Sequence, residues 1–140
     1  MYYDTSVLAA YYCPEPLSNK AEQLLLSDSN PCISELTKVE FFSAISKKVR
    51  LKELKKTDAE KIVFRFIMHI DSGSFMTEVI KSNHFRLAGE WISGFKIPLR
   101  TLDALNLAVA FSMGECIVTS DFQLASAANV LSINSLLLTI

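Results

Sequence analysis

Apolar and polar positions change their spacing repeatedly along this chain, and the changes mark out short elements. "MYYD" is strand-prone and ends on a carboxylate. The apolar run after it predicts a helix to about Tyr12, which the two prolines of "CPEP" stop. A second helix is predicted from about Leu17 to Leu26, then a turn at "SDSNP" and a short buried strand at "CIS". A long helix follows from about Leu36 to Arg50, with Ser34 placed to cap it. Another helix is predicted from about Asp58 to His69, broken by "DSGS", and "FMTEVI" alternates like a strand. "HFRLAGEWIS" is helical and "GFKIP" is a turn. "TLDALNLAVAFSM" is a helix apolar on nearly every side, which places it deep. "CIVT" is a buried strand, "DFQLASAA" a helix, and "VLSIN" the last predicted strand.

Strands separated by helical stretches imply parallel pairing with helices on both faces. The expected fold is a three-layer α/β/α sandwich with a mainly parallel central sheet. The chain has 140 residues, the size of one domain, with no internal repeat, low-complexity tract or Pro/Gly-rich linker. Half of its residues are apolar and 21% are charged, so it is not disordered. Three widely spaced cysteines (Cys13, Cys32 and Cys116) read as buried small hydrophobes rather than a disulfide frame or zinc site. No bilayer-length apolar run and no leader pattern is seen, so a cytoplasmic protein without a membrane partner is expected. The net charge of −1 announces no global basic field, although a local patch beside an acidic centre could still hold phosphates.

Candidate chemistry begins with Asp4. In an open parallel sheet, ligands bind outside the carboxyl ends of the strands, where Asp4 and Asp121 both fall. Each also precedes a helix, and taken singly each reads as an ordinary cap. Asp103 lies in the first turn of the most apolar helix, where the helix dipole favours a negative charge by about 0.3–1 kcal/mol. That end of a buried helix should face the same rim. Glu40 projects to the side of its helix shared with Leu36, Ser43, Ala44 and Lys47, opposite Phe42, Ile45 and Val49. A solvated glutamate would look the same.

If the four converge, their repulsion is large. Two carboxylates about 6 Å apart repel by roughly 3 kcal/mol at an effective dielectric near 20. Six such pairs exceed the ~5–15 kcal/mol stability of a small domain, so protons or a cation must offset them. An oxygen-only donor set suits Mg²⁺ or Mn²⁺ rather than zinc. Such a centre suits phosphodiester hydrolysis. No Ser/His/Asp or Cys/His arrangement competes, and His69 and His84 read as structural or surface residues on helices.

The stretches "YYDTSVL", "SELTKVEFFSAI", "LRTLDALNLAVA" and "CIVTSDFQLASAA" together resemble the PIN-domain family of metal-dependent nucleases, specifically the VapC-type toxins of bacterial toxin–antitoxin pairs. The resemblance runs nearly end to end and implies one PIN domain over 1–140. It implies that Asp4, Glu40, Asp103 and Asp121 are the catalytic, Mg²⁺- or Mn²⁺-holding acids, with Ser6 and Thr119 hydrogen-bonding around them. Helix capping is the other reading of those two hydroxyls. The family acts on RNA, including tRNA in several members. Many members dimerise and are silenced by a cognate antitoxin, so an antitoxin partner and a homodimer are implied here too. The first strand, with Tyr2 and Tyr3, is shorter and more aromatic than the aliphatic run usual for the family.

"KKVRLKELKK" is the densest basic stretch. Its charges spread around the helix axis, so it reads mainly as a solvated end, with Lys47 and Arg50 as candidate phosphate contacts. Trp91 with Phe85 and Leu87 reads as core more than as a base-stacking platform. The apolar tail "SLLLTI" either completes a sheet edge or lies in a dimer contact. Two rival functions stand beside the nuclease: a non-catalytic PIN-like scaffold for RNA or a protein partner, and a phosphatase using the first aspartate. "DTS" lacks the second nearby acid that the phosphatase needs.

Overall fold

Tyr2 and Tyr3 send their side chains to opposite faces of one sheet, and that alternation organises the protein. The computed structural model describes residues 1–140. In chain order the elements are β1 (Tyr2–Tyr3), α1 (Thr5–Tyr12), α2 (Ser18–Ser27), β2 (Cys32–Ser34), α3 (Glu35–Arg50), α4 (Lys56–Asp71) and β3 (Met76–Glu78). There follow α5 (Ser82–Ser93), α6 (Thr101–Met113), β4 (Ile117–Thr119), α7 (Phe122–Val130) and β5 (Ser135–Leu137). The strands form a five-stranded sheet in the order β3-β2-β1-β4-β5, and every pairing is parallel.

Both sheet faces are covered. Tyr3, Ile33 and Val118 join Leu8, Leu25, Phe41 and Phe66 in a core shared with α1, α2, α3 and α4. Tyr2, Cys32 and Ile117 join Leu107, Leu124 and Ala128 in a second core against α6 and α7. Strands buried on both faces read as short continuous apolar runs, as "CIS" and "CIVT" do. The three-layer α/β/α expectation is met. No helix is long and apolar enough to cross a membrane.

The expected depth of α6 is also met, because every residue from Ala104 to Ala110 is buried. Gly114 ends that helix in the left-handed region (φ 67°), where a side chain would be strained. Ser34 caps α3 as expected. Its hydroxyl accepts from the Thr37 N–H, and the Thr37 hydroxyl accepts from the Ser34 N–H.

The last predicted strand is displaced. "VLSIN" alternates like a strand, yet Val130 still belongs to α7. The Leu131 N–H closes that helix on Ala127 O, and Ser132 turns the chain with φ 58°. The strand lies further on, at Ser135–Leu137, where Leu136 registers with Val118. The apolar tail therefore completes the sheet edge. Of the cysteines, Cys13 and Cys32 are buried and Cys116 is half-buried, and all three are free thiols.

Candidate functional site

The sheet order reverses direction between β1 and β4, so their carboxyl ends open the crevice where parallel sheets bind ligands. Asp4 follows β1 and is 9% exposed. Its Oδ2 accepts from the Ser6 hydroxyl at 2.6 Å, the Thr119 hydroxyl at 2.9 Å and the Ser6 N–H at 3.3 Å. The last of these bonds is the cap of α1. Asp4 is therefore both an end-stop and a member of a polar network.

Ser6 and Thr119 act symmetrically. Each donates its hydroxyl proton to Asp4, and each accepts a backbone N–H from the turn after β4. Ser6 Oγ accepts from Ser120 N–H at 3.0 Å, and Thr119 Oγ1 accepts from Asp121 N–H at 3.0 Å. These bonds tie α1 to the β4–α7 turn and fix Asp4 against Asp121. Asp121 caps α7, its Oδ1 accepting from the Gln123 and Leu124 N–H groups. Its Oδ2 lies 3.5 Å from Arg100 Nη2.

Arg100 precedes α6 and also donates from Nε to Asp103 Oδ2 at 2.9 Å. One guanidinium thus spans Asp103 and Asp121 and supplies positive charge between them. Glu40 comes from α3. Its Oε1 accepts from Asn106 Nδ2 at 2.8 Å. Burial holds the Glu40 carboxyl above its ordinary titration range, opposed by the Asn106 bond and reinforced by the negative charges of Asp4 and Asp103. Asp4, Glu40 and Asp103 therefore share one electrostatic environment.

Two residues of this rim escape the sequence reading. Asn106 is buried, with 1% exposed, and its Oδ1 accepts from the Tyr2 hydroxyl at 2.5 Å. That hydroxyl also lies 2.9 Å from Ser34 Oγ and 3.1 Å from Thr37 Oγ1. The signal for Asn106 is an amide three residues after Asp103 in an otherwise apolar helix, because an i, i+3 pair shares a helix face. Arg100 has the matching signal three residues before Asp103.

No three Asp, Glu, His or Cys side chains stand close enough to ligate one ion together. The donor chemistry nevertheless fits a hard cation. Asp4 Oδ1 and Glu40 Oε2 take no hydrogen bond from the protein, and Mg²⁺ needs only one or two carboxylates when it keeps its waters.

Other candidates fall away from the rim or behave structurally. His84 is buried and its Nδ1 accepts from the Lys81 N–H, while His69 Nδ1 pairs with the Tyr12 hydroxyl at 2.6 Å. Trp91 is half-buried, edge-on to Phe111 with ring centroids 6.0 Å apart, as a core aromatic would be, but Phe85 is exposed and not in the core as expected. Lys47 and Arg50 are exposed on α3, and Arg50 Nη1 donates to Ser46 Oγ at 2.7 Å.

A PIN domain family profile matches residues 1–130, and the chain belongs to that family. No curated protein sequence matches it. Solved structures do, at identities that speak for the fold alone. Mycobacterium tuberculosis VapC20, a Sarcin-Ricin loop cleaving toxin, is 18% identical with a TM-score of 0.71, over 90% of this chain and 93% of that one. FitAcB from Neisseria gonorrhoeae is 14% identical with a TM-score of 0.73, over 96% and 94%. DNA-bound VapBC from Salmonella typhimurium is 17% identical with a TM-score of 0.71, over 96% and 95%.

Proposed function

We propose that this PIN domain is a metal-dependent endoribonuclease and the toxin of a type II toxin–antitoxin pair. The observation that carries the reading is a run of contacts at the β1/β4 crossover: Ser6 and Thr119 bond Asp4 to the turn that carries Asp121, Arg100 spans Asp121 and Asp103, and Asn106 bonds Glu40. Membership of the PIN family and the fold shared with VapC and VapBC structures support it.

In this reading Asp4, Glu40, Asp103 and Asp121 hold Mg²⁺ or Mn²⁺. The bound ion supplies an acidified water and neutralises charge on the phosphate being cut. Ser6 and Thr119 hold Asp4 in one orientation, so that its free Oδ1 stays turned to its task. Asn106 does the same for Glu40. Such supporting bonds are worth about 10–100-fold in metal affinity or activity. Arg100 sets a positive charge against Asp103 and Asp121 when no metal is present, and is free to turn to a phosphate when the ion arrives.

Lys47 stands two turns along α3 from Glu40, on the same side, and with Arg50 would extend the path of the RNA backbone. The partners in this reading are RNA, a cognate antitoxin and a second copy of the chain. The test is cleavage of total RNA by the purified chain with Mn²⁺, with chelator, and with Asp103→Asn. Cleavage that survives both the chelator and the substitution would falsify the assignment. Retained RNA binding without any cleavage would favour the scaffold reading.

A further inference from the structure

Beside the acidic rim lies a cavity of about 270 Å³ that none of the acids line. Its walls include Ile97 and Pro98 from the segment before α6, and Phe122, Gln123 and Val130 from α7, with Lys96 among them. Phe122 follows Asp121 directly and is 73% exposed. An aromatic ring left that open beside an acid of the candidate centre buries little of its apolar surface in this fold. Arg100, two residues after Pro98, reaches Asp121. Lys96 lines the cavity, while Arg100 lies outside its lining, turned to Asp103 and Asp121.

We propose that this cavity seats the base of the nucleotide next to the cut in single-stranded RNA. Phe122 stacks on the base, and Lys96 and Arg100 take the flanking phosphates. The inference rests on the nuclease reading for its substrate class, and it adds the element that grips a base rather than the backbone. Apolar lining with an exposed ring suits the face of a base. The Gln123 amide offers a donor and an acceptor for its edge. Phosphates alone would need only the cations. The apolar wall is what singles out a base.

The experiment uses the full chain carrying Asp103→Asn, with Phe122, Phe122→Ala or Phe122→Trp. Fluorescence anisotropy measures binding of a labelled mixed-sequence single-stranded RNA 12-mer, and of a backbone probe of equal length whose nucleotides are abasic. The expected result is about a tenfold loss of RNA binding in Phe122→Ala, unchanged backbone binding, and recovery in Phe122→Trp. Because Phe122 is exposed, thermal unfolding should be the same in all three. The proposal is overturned if the starting protein does not distinguish the two probes, or if Phe122→Ala weakens both equally or neither. A gel of the same samples reports cutting. If Asp103→Asn still cuts RNA, the role given to Asp103 fails, and the same comparison, read as cleavage rates on the two probes, still decides the subsite.

Discussion

The side-chain amide of Asn106 donates to Glu40 at 2.8 Å while its carbonyl accepts from the Tyr2 hydroxyl at 2.5 Å. This assigns the two ends of the amide, since a carboxylate only accepts and the Tyr2 hydroxyl has a proton to give. It also links β1, α6 and α3 through one buried residue. Loss of that residue leaves the Glu40 carboxylate without its donor and the Tyr2 hydroxyl without its shortest bond. Asn106→Ala should lower stability by about 1–3 kcal/mol. Urea unfolding measures the loss, and RNA cleavage should fall by about 10–100-fold beyond the change in folded fraction.

Asp121 has two jobs that two substitutions can separate. Its Oδ1 caps α7, and its Oδ2 faces Arg100. Asparagine is as good an N-cap as aspartate, whereas alanine is not. Asp121→Asn should therefore keep the thermal stability of the chain and lose cleavage. Asp121→Ala should lose cleavage and also about 0.5–2 kcal/mol of stability. Equal stability of the two variants would mean that α7 does not depend on this cap.

Much of this is legible in the sequence, and for physical reasons. Period changes in apolar residues located the helices and the buried strands, because each element must bury a face of its own repeat. The rim position of Asp4 and Asp121 followed from strand ends in a parallel sheet. What hid from the sequence was whatever depends on a partner from another element. Glu40 looked solvated because its helix alone does not show that Asn106 reaches it from α6. Arg100 bridges two acids eighteen positions apart in the chain. Only the fold brings them together. The alternation in "VLSIN" was genuine but local, and a helix end with a left-handed serine overrode it.

Glu40 gives the metal-free protein a pH dependence of definite sign. Its folded pKa is raised above the ordinary 4.5 by burial first, with Asp4 and Asp103 adding to it. The folded state therefore binds the proton more readily than the unfolded chain does. The contribution to stability is fully present below the unfolded pKa and is lost as pH rises through the folded one. Glu40→Gln keeps an oxygen for Asn106 and removes the titration. In chelator, wild-type stability should fall relative to Glu40→Gln as pH climbs from about 4.5 toward neutrality, and the variant should be the more stable at pH 7. Thermal melts at a series of pH values test this, and parallel curves would remove Glu40 from the shared acidic environment.

Removing the Asp103 charge takes one like charge from the rim, but Arg100 stands against that gain. Because the guanidinium already pairs with Asp103, taking away that acid removes an attraction together with a repulsion, and little net gain is expected in the metal-free chain. The informative substitution is Arg100→Gln. It leaves Asp103 and Asp121 without their nearby cation, so the negative potential of the rim rises. A metal ion then no longer competes with the guanidinium for the same two carboxylates. Mn²⁺ should bind several-fold more tightly to Arg100→Gln than to the wild type, and Mn²⁺ should raise the melting temperature of the variant by more. Cleavage should nonetheless drop if Arg100 turns to the phosphate once the ion is bound. Tighter metal with slower cutting is the combined result expected from calorimetric titration and single-turnover cleavage. Unchanged Mn²⁺ affinity would mean that Asp103 and Asp121 do not hold the ion.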